Sequence, residues 1–189
     1  NPTGAPITNS GQIAASGNKE VIAKVTVSAS AAGTTNIDLF FRAISAASAG
    51  TDIIMDRLTV NVIRGISLLQ NQTGQTSPGS ATTYSHVLKN TGNVTEPQIN
   101  LAATNSQSGF LTTIYSDING DGLINGADAV ITSVTSLAAG VSSNLIIRVA
   151  APSSAPNGTV DTMTLTATPT GVVGGASASA AQSNIDQTT

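Results

Sequence analysis

Five oxygen-bearing side chains recur along the run Asp117-Ile-Asn119-Gly-Asp121-Gly-Leu123-Ile-Asn125-Gly-Ala-Asp128. With Asp117 counted as one, they fall at positions one, three, five, nine and twelve. Gly122 falls at six, and the carbonyl of Leu123 is available at seven. A tightly curled loop aims such oxygens at a common centre, which suits a hard cation. Calcium takes six to eight oxygen ligands at about 2.3–2.6 Å. Gly122 sits where the chain must turn sharply, and a residue without Cβ does so at least cost. Ile124 is expected to anchor the loop to a core. An ordinary turn would use Asn-Gly or Asp-Gly once or twice, without five oxygen donors in register.

The spacing is that of an EF-hand-type calcium loop, and it names Asp117, Asn119, Asp121, Leu123, Asn125 and Asp128 as Ca2+ ligands. Asp128 replaces the usual glutamate and has a shorter reach. It is expected to bind through one oxygen or through water, with affinity on the order of 10⁻⁴–10⁻³ M, the range of extracellular modules.

The elements that carry this loop must come from an unusual composition. Charged residues make up 9% of the 189 positions and aromatics 3%, against about 25% charged in an average domain. Ser, Thr, Asn and Gly take their place, and such side chains compete with helical hydrogen bonds, so strands and turns are favoured. The apolar 40% is mostly Val, Ile, Leu and Ala, enough for a core. Seven Lys and Arg against ten Asp and Glu give a net charge of −3. With no basic cluster, nucleic acid is not an expected partner. Absence of Cys removes disulfides, thiolate chemistry and the usual zinc sites. Together with a calcium loop of modest affinity it fits a prokaryotic extracellular protein. Asn1–Pro6 lacks the features of a signal peptide, and no apolar run approaches the ~20 residues of a membrane span.

A shift of 124 positions lays the first third of the chain over the last without a gap. Val21-Ile-Ala-Lys-Val25 falls on Leu145-Ile-Ile-Arg-Val149, and Leu39, Phe41 and Ala43 fall on Met163, Leu165 and Ala167. The side-chain alternation stays in phase, as a shared strand order requires. Residues 67–189 therefore read as one complete unit, and residues 1–66 as the second half of another. Half a sandwich cannot bury its apolar face alone. Its completion is expected from a longer array or from strand donation by a neighbouring subunit.

Period-two alternation predicts strands near 20–28, 36–44 and 53–63 in the first segment. In the second they are predicted near 66–71, 81–89, 96–104, 109–115, 129–135, 143–150, 160–168 and 176–185. Their spacing favours an all-β antiparallel sandwich.

The complete unit resembles the immunoglobulin-like repeat domains of bacterial cell-surface proteins. The resemblance rests on the order of its motifs. Thr83-Tyr-Ser-His-Val-Leu-Lys-Asn-Thr-Gly-Asn-Val94 comes first, and an aromatic strand from Gly109 to Asp117 leads into the calcium loop. A Leu-Ala-Ala-Gly turn at 137–140, a strand at Leu145–Val149, a Pro/Gly turn at 152–158 and Thr-rich closing strands follow. It covers about 67–189, with the first 66 residues matching the second half only. It implies antiparallel immunoglobulin-like β-sandwich units in tandem that build stalks and surfaces without catalysis. The loop is also similar to one calcium loop of a dockerin. A dockerin pairs two such loops, each with an amphipathic helix, whereas this chain has one loop and β-rich flanks.

The resulting expectation is a non-catalytic, calcium-stabilised structural protein of the cell surface: a surface layer, stalk or self-assembling fibre. The alternative is a calcium-dependent adhesin or carbohydrate-binding module. Partners expected are neighbouring repeats or further copies of the protein, with cell-surface polysaccharide as a second candidate. His86, the only histidine, shares a strand face with Tyr84 and Leu88 and reads as a half-buried residue rather than a catalytic one. No nucleophile or acid pair accompanies it. Asp52, Asp56 and Arg57 read as a solvated edge. Asn71, Asn93 and Asn157 head glycosylation sequons.

Overall fold

The computed structural model describes residues 7–189. The chain divides into two units, Asn1–Ala31 and Ala32–Thr189. In the first, residues 7–31 form turns and irregular chain only, and Val21, Ile22, Val25 and Val27 are exposed. The strand predicted at 20–28 is therefore absent. Residues 145–149, onto which 21–25 fall in the sequence overlay, are held on both sides by other strands. Alternation without a flanking ladder leaves the backbone groups to water.

The second unit is all-β. Its strands are β1 (Asn36–Ile44), β2 (Thr51–Thr59), β3 (Ile66–Leu69), β4 (Gln72–Gly74), β5 (Ala81–Asn90), β6 (Glu96–Asn105) and β7 (Leu111–Ser116). They continue as β8 (Ser133–Leu137), β9 (Ser142–Ala150), β10 (Asp161–Pro169), β11 (Val172–Val173), β12 (Ala176–Ser177) and β13 (Gln182–Thr188). One sheet has the order β4-β13-β10-β6-β8 and another β3-β5-β9-β7. All pairings are antiparallel except the short parallel contact of β13 with β4. Alternate residues of both sheets meet in one core. Leu68, Leu88, Leu145, Ile147 and Val149 come from one side, and Ile99, Leu101, Met163, Leu165 and Ala167 from the other. Fully burying such a side chain is worth about 1.5–3 kcal/mol, so the absence of tryptophan is made up by many small aliphatics.

The hairpin β1–β2 forms a two-stranded sheet of its own. Its register sets Leu39 opposite Asp56, as β10–β13 sets Met163 opposite Asp186. The two hairpins thus correspond pair by pair, at an offset of 124 in the first strand (Leu39 to Met163) and 130 in the second (Asp56 to Asp186). The difference of six residues between the two offsets falls between β10 and β13, where the small β11–β12 ribbon sits.

Candidate functional site

The loop 117–128 leaves the end of β7 and returns to it. Ser116 N–H donates to the Ala129 carbonyl at 2.9 Å, and Ile131 N–H donates to the Ile114 carbonyl at 2.9 Å. A single bridge joins Tyr115 to Val130. The chain then passes to the other sheet, where Thr132 accepts from Leu101 N–H and β8 pairs with β6. The predicted strand at 129–135 is thus split between a bridge on one sheet and a strand on the other. The loop stands at the crossing between the sheets.

Inside the loop, Asp117 is buried and its carboxylate organises the first turn. Oδ1 accepts from Gly120 N–H at 2.7 Å and Oδ2 from Gly122 N–H at 3.1 Å. Oδ2 of Asp121 is the convergence point. It accepts from the Asn119 amide at 2.8 Å and from the Asn125 amide at 3.0 Å. The Asn125 amide also reaches the Leu123 carbonyl, at 3.3 Å. The oxygens of positions five and seven and the carboxamides of three and nine therefore share one small volume. A carboxamide turned end for end presents oxygen where it presented N–H, so the four groups fit a hard cation. The carboxylates of Asp117 and Asp128 accept from backbone N–H groups instead of these amides. Asp128 accepts from Ile118 N–H at 3.2 Å and Asn125 N–H at 2.9 Å, closing the loop on itself.

Electrostatics favour a cation. None of the three loop carboxylates is in an ion pair among the described residues, whose Arg–carboxylate pairs are Arg57–Asp38 and Arg64–Glu96. Three like charges in one loop repel, and a divalent ion relieves that repulsion. Among the described residues no three His, Cys, Asp or Glu side chains form a metal cluster, so the fit rests on mixed carboxylate, carboxamide and carbonyl donors.

Two glycines lay the loop against the sheet. Gly120 and Gly122 have φ of 72° and 73°, the left-handed region that side chains disfavour. A Cβ on Gly122 would stand 3.1 Å from Ser85 Oγ, and one on Gly120 3.2 Å from Asn144 Nδ2. Asp117 N–H donates to the Asn144 carbonyl at 3.0 Å. A depression of about 260 Å³ between loop and sheet is lined by Ser85, Asp117, Asp121 and Asn144. Ser85 and Asn144 carry no signal in sequence, because β5 and β9 bring them to the loop from a distance. Ile124 is exposed, contrary to its expected role as an anchor. The loop is fixed by Asp117 and its two glycine contacts instead.

The other residues singled out have structural surroundings. His86 is fully buried rather than half-buried, with Nε2 2.7 Å from the Asp186 carboxylate and Nδ1 3.3 Å from the Leu69 carbonyl. Tyr84 donates to the Gln187 carbonyl at 2.9 Å and meets Thr188 Oγ1 at 2.6 Å. Burial raises the Tyr84 phenol above its ordinary value, partly opposed by the Thr188 hydrogen bond. Arg64 and Glu96 form a buried pair, and Arg64 also donates to the carbonyls of Gly171 and Thr170. The hydrogen bonds to Glu96 raise the Arg64 guanidinium further above its usual range. Asp52, Asp56 and Arg57 are exposed on the hairpin. Of the sequon asparagines, Asn71 accepts from Ile185 N–H and Asn93 from Ile63 N–H, while Asn157 lies exposed in a turn.

No family model matches the chain, and no curated protein matches it. Among solved structures it is similar to a family 123 glycoside hydrolase from Clostridium perfringens, studied for glycolipid glycan hydrolysis, with a TM-score of 0.40 and 9% identity. The match covers 67% of this chain and 27% of the hydrolase, so the chain spans about a quarter of that protein's length. At that overlap the likeness carries no argument about chemistry.

Proposed function

We propose that the chain is a non-catalytic, calcium-stabilised structural protein of the cell surface, built from immunoglobulin-like sandwich units. The observation that carries the reading is the position of the loop. Asn119, Asp121, Leu123 and Asn125 converge where the chain crosses between sheets, and the loop's three carboxylates lack a cationic partner among the described residues. An ion there ties β7 to the segment entering β8. It stabilises the fold because it binds the native state alone. The engagement of His86 in a buried contact with Asp186 supports a non-catalytic role, since a base without access to solvent meets no substrate. The low-charge Thr/Ser/Asn surface suits an extracellular setting. Thermal unfolding with calcium and with chelator tests the reading; equal midpoints would sink it.

A second reading is favoured by one observation. The depression beside the loop is lined by the hydroxyl of Ser85, the amide of Asn144 and the carboxylates of Asp117 and Asp121. Such groups suit a calcium-dependent adhesin or carbohydrate-binding module. Glycan-array binding that disappears on chelation would establish it, and an array without a calcium-dependent binder removes it.

A further inference from the structure

β1 is the feature the calcium reading leaves unused. It offers nine residues of strand, with β2 on one side and no strand on the other among the described residues. In β10, its counterpart, the second edge is taken by β6. Long open edges template further pairing.

The residues along this edge are arranged about Phe40. Asp38 stands two residues before it and Arg42 two residues after, all three on one face. On the other face Leu39 and Phe41 flank the same centre, with Ile37 and Ala43 beyond. The two orders read alike from either end, with opposite charges exchanged. Backbone geometry agrees with this centre. Ser45 N–H donates to the Gly50 carbonyl and Val60 N–H to the Thr35 carbonyl, so odd-numbered residues exchange hydrogen bonds with β2. Hydrogen-bonded and non-bonded pairs alternate along an antiparallel ladder. Residues 36, 38, 40, 42 and 44 therefore turn their N–H and C=O groups to the open edge.

We infer that two copies of this chain associate through β1, antiparallel and centred on Phe40. This puts Phe40 opposite Phe40 of the second copy, and Asp38 opposite Arg42 in both directions. Every outward backbone group then meets a partner. The inference deepens the reading of a self-assembling protein and rests on it. Three further observations support a second copy. The Arg42 side chain has no acidic partner among the described residues, whereas Asp38 already holds Arg57 at 2.6 Å and would lie between two guanidinium groups. The face carrying Phe40 also exposes Ile44, Ile53 and Met55. In β10–β13 the matching positions are Thr168, Ser183 and Ile185, with Thr164 in place of Phe40. The hairpin has thus exchanged a mostly hydroxyl outer surface for an apolar one. An isolated two-stranded ribbon is marginal in water, and a four-stranded sheet is not.

Sedimentation of the full chain across a wide concentration range, in calcium, tests the pairing with two charge variants. Arg42→Asp sets acid against acid, and Asp38→Arg sets base against base. Each is expected to weaken association by at least about tenfold, since like charges directly opposite repel. Mixed together, the two variants restore both opposite-charge contacts, so dimers should reappear on mixing alone. Far-ultraviolet dichroism confirms that each variant is folded. A wild-type chain that stays monomeric overturns the inference. So do variants that dimerise as wild type does, or a mixture that stays monomeric. None of these outcomes alters the chelator-dependent midpoint, so the calcium reading stands or falls separately.

Discussion

Nε2 of His86 lies 2.7 Å from Oδ2 of Asp186, both side chains fully buried, and the contact joins β5 in one sheet to β13 in the other. Oδ1 of the same aspartate accepts from Gln72 N–H at 2.8 Å, so one carboxylate serves three strands. Asp186→Ala strands the buried His86 ring and the half-buried Gln72 N–H and is expected to cost about 2–4 kcal/mol. The joint replacement of His86 and Asp186 by leucine removes both polar groups and should cost less than the single change. Urea unfolding measures both, and a single variant within about 0.5 kcal/mol of wild type would refute the bridging role.

Tyr84 gives the alkaline limb of stability. An unfolded tyrosine titrates near pH ~10, whereas burial, with smaller contributions from the Asp186 and Asp161 charges, raises Tyr84 in the fold. The raised group binds its proton more tightly when folded. Its stabilising contribution is complete below the unfolded value and is lost as pH rises from there through the folded one. Tyr84→Phe should lower stability at neutral pH by about 1 kcal/mol through its lost hydrogen bonds, and flatten the decline above pH ~10. Midpoints that fall equally steeply in both proteins would contradict this.

Much of the β architecture was legible because alternation and ladder agree. The strands predicted at 36–44, 81–89, 96–104 and 143–150 match β1, β5, β6 and β9 within about a residue at most ends. β13 was harder. Ile185 is its most apolar residue, yet it points outward, while Asn184, Asp186 and Thr188 face the core. Hydrophobicity alone gives the opposite phase. The polar residues go inward because His86 and Tyr84 wait there with hydrogen-bonding groups, and such a match between distant strands leaves no local pattern. β4 was hidden for a related reason: three residues held by parallel pairing with β13 have no period to read. The loop's oxygens were visible in their spacing, but the seat provided by Ser85 and Asn144 was not.

That seat makes the loop glycines unequal. Gly122→Ala forces φ of 73° on a residue with a Cβ and sets that carbon 3.1 Å from Ser85 Oγ. The left-handed conformation alone costs about 1–2 kcal/mol. Gly126 has an ordinary φ and open space where its Cβ would stand. Gly126→Ala is therefore expected to be neutral or slightly stabilising. Calorimetric midpoints compare the two, and equal losses would mean that the loop does not rest on the sheet as described.

Asp128 separates closing the loop from holding an ion. Its two oxygens accept from Ile118 and Asn125 N–H, whereas Asp121 meets the carboxamides of Asn119 and Asn125. Asp128→Ala should lower stability even in chelator, by about 0.5–1.5 kcal/mol, because the backbone loses its acceptor. Asp121→Ala should also lower stability in chelator, because Leu123 N–H loses its acceptor, and it alone should abolish the response to calcium. For the wild type that response is set by mass action. Calcium at a hundred times its dissociation constant adds about 2.7 kcal/mol, or about 5–10 °C for a unit of this size. Asp128→Glu extends the carboxylate by one methylene toward the bidentate ligation usual at the twelfth position. It should shift the calcium titration to lower concentration while weakening the apo loop. Titrations followed by thermal midpoint read all three variants. A calcium response retained in Asp121→Ala would place the ion elsewhere.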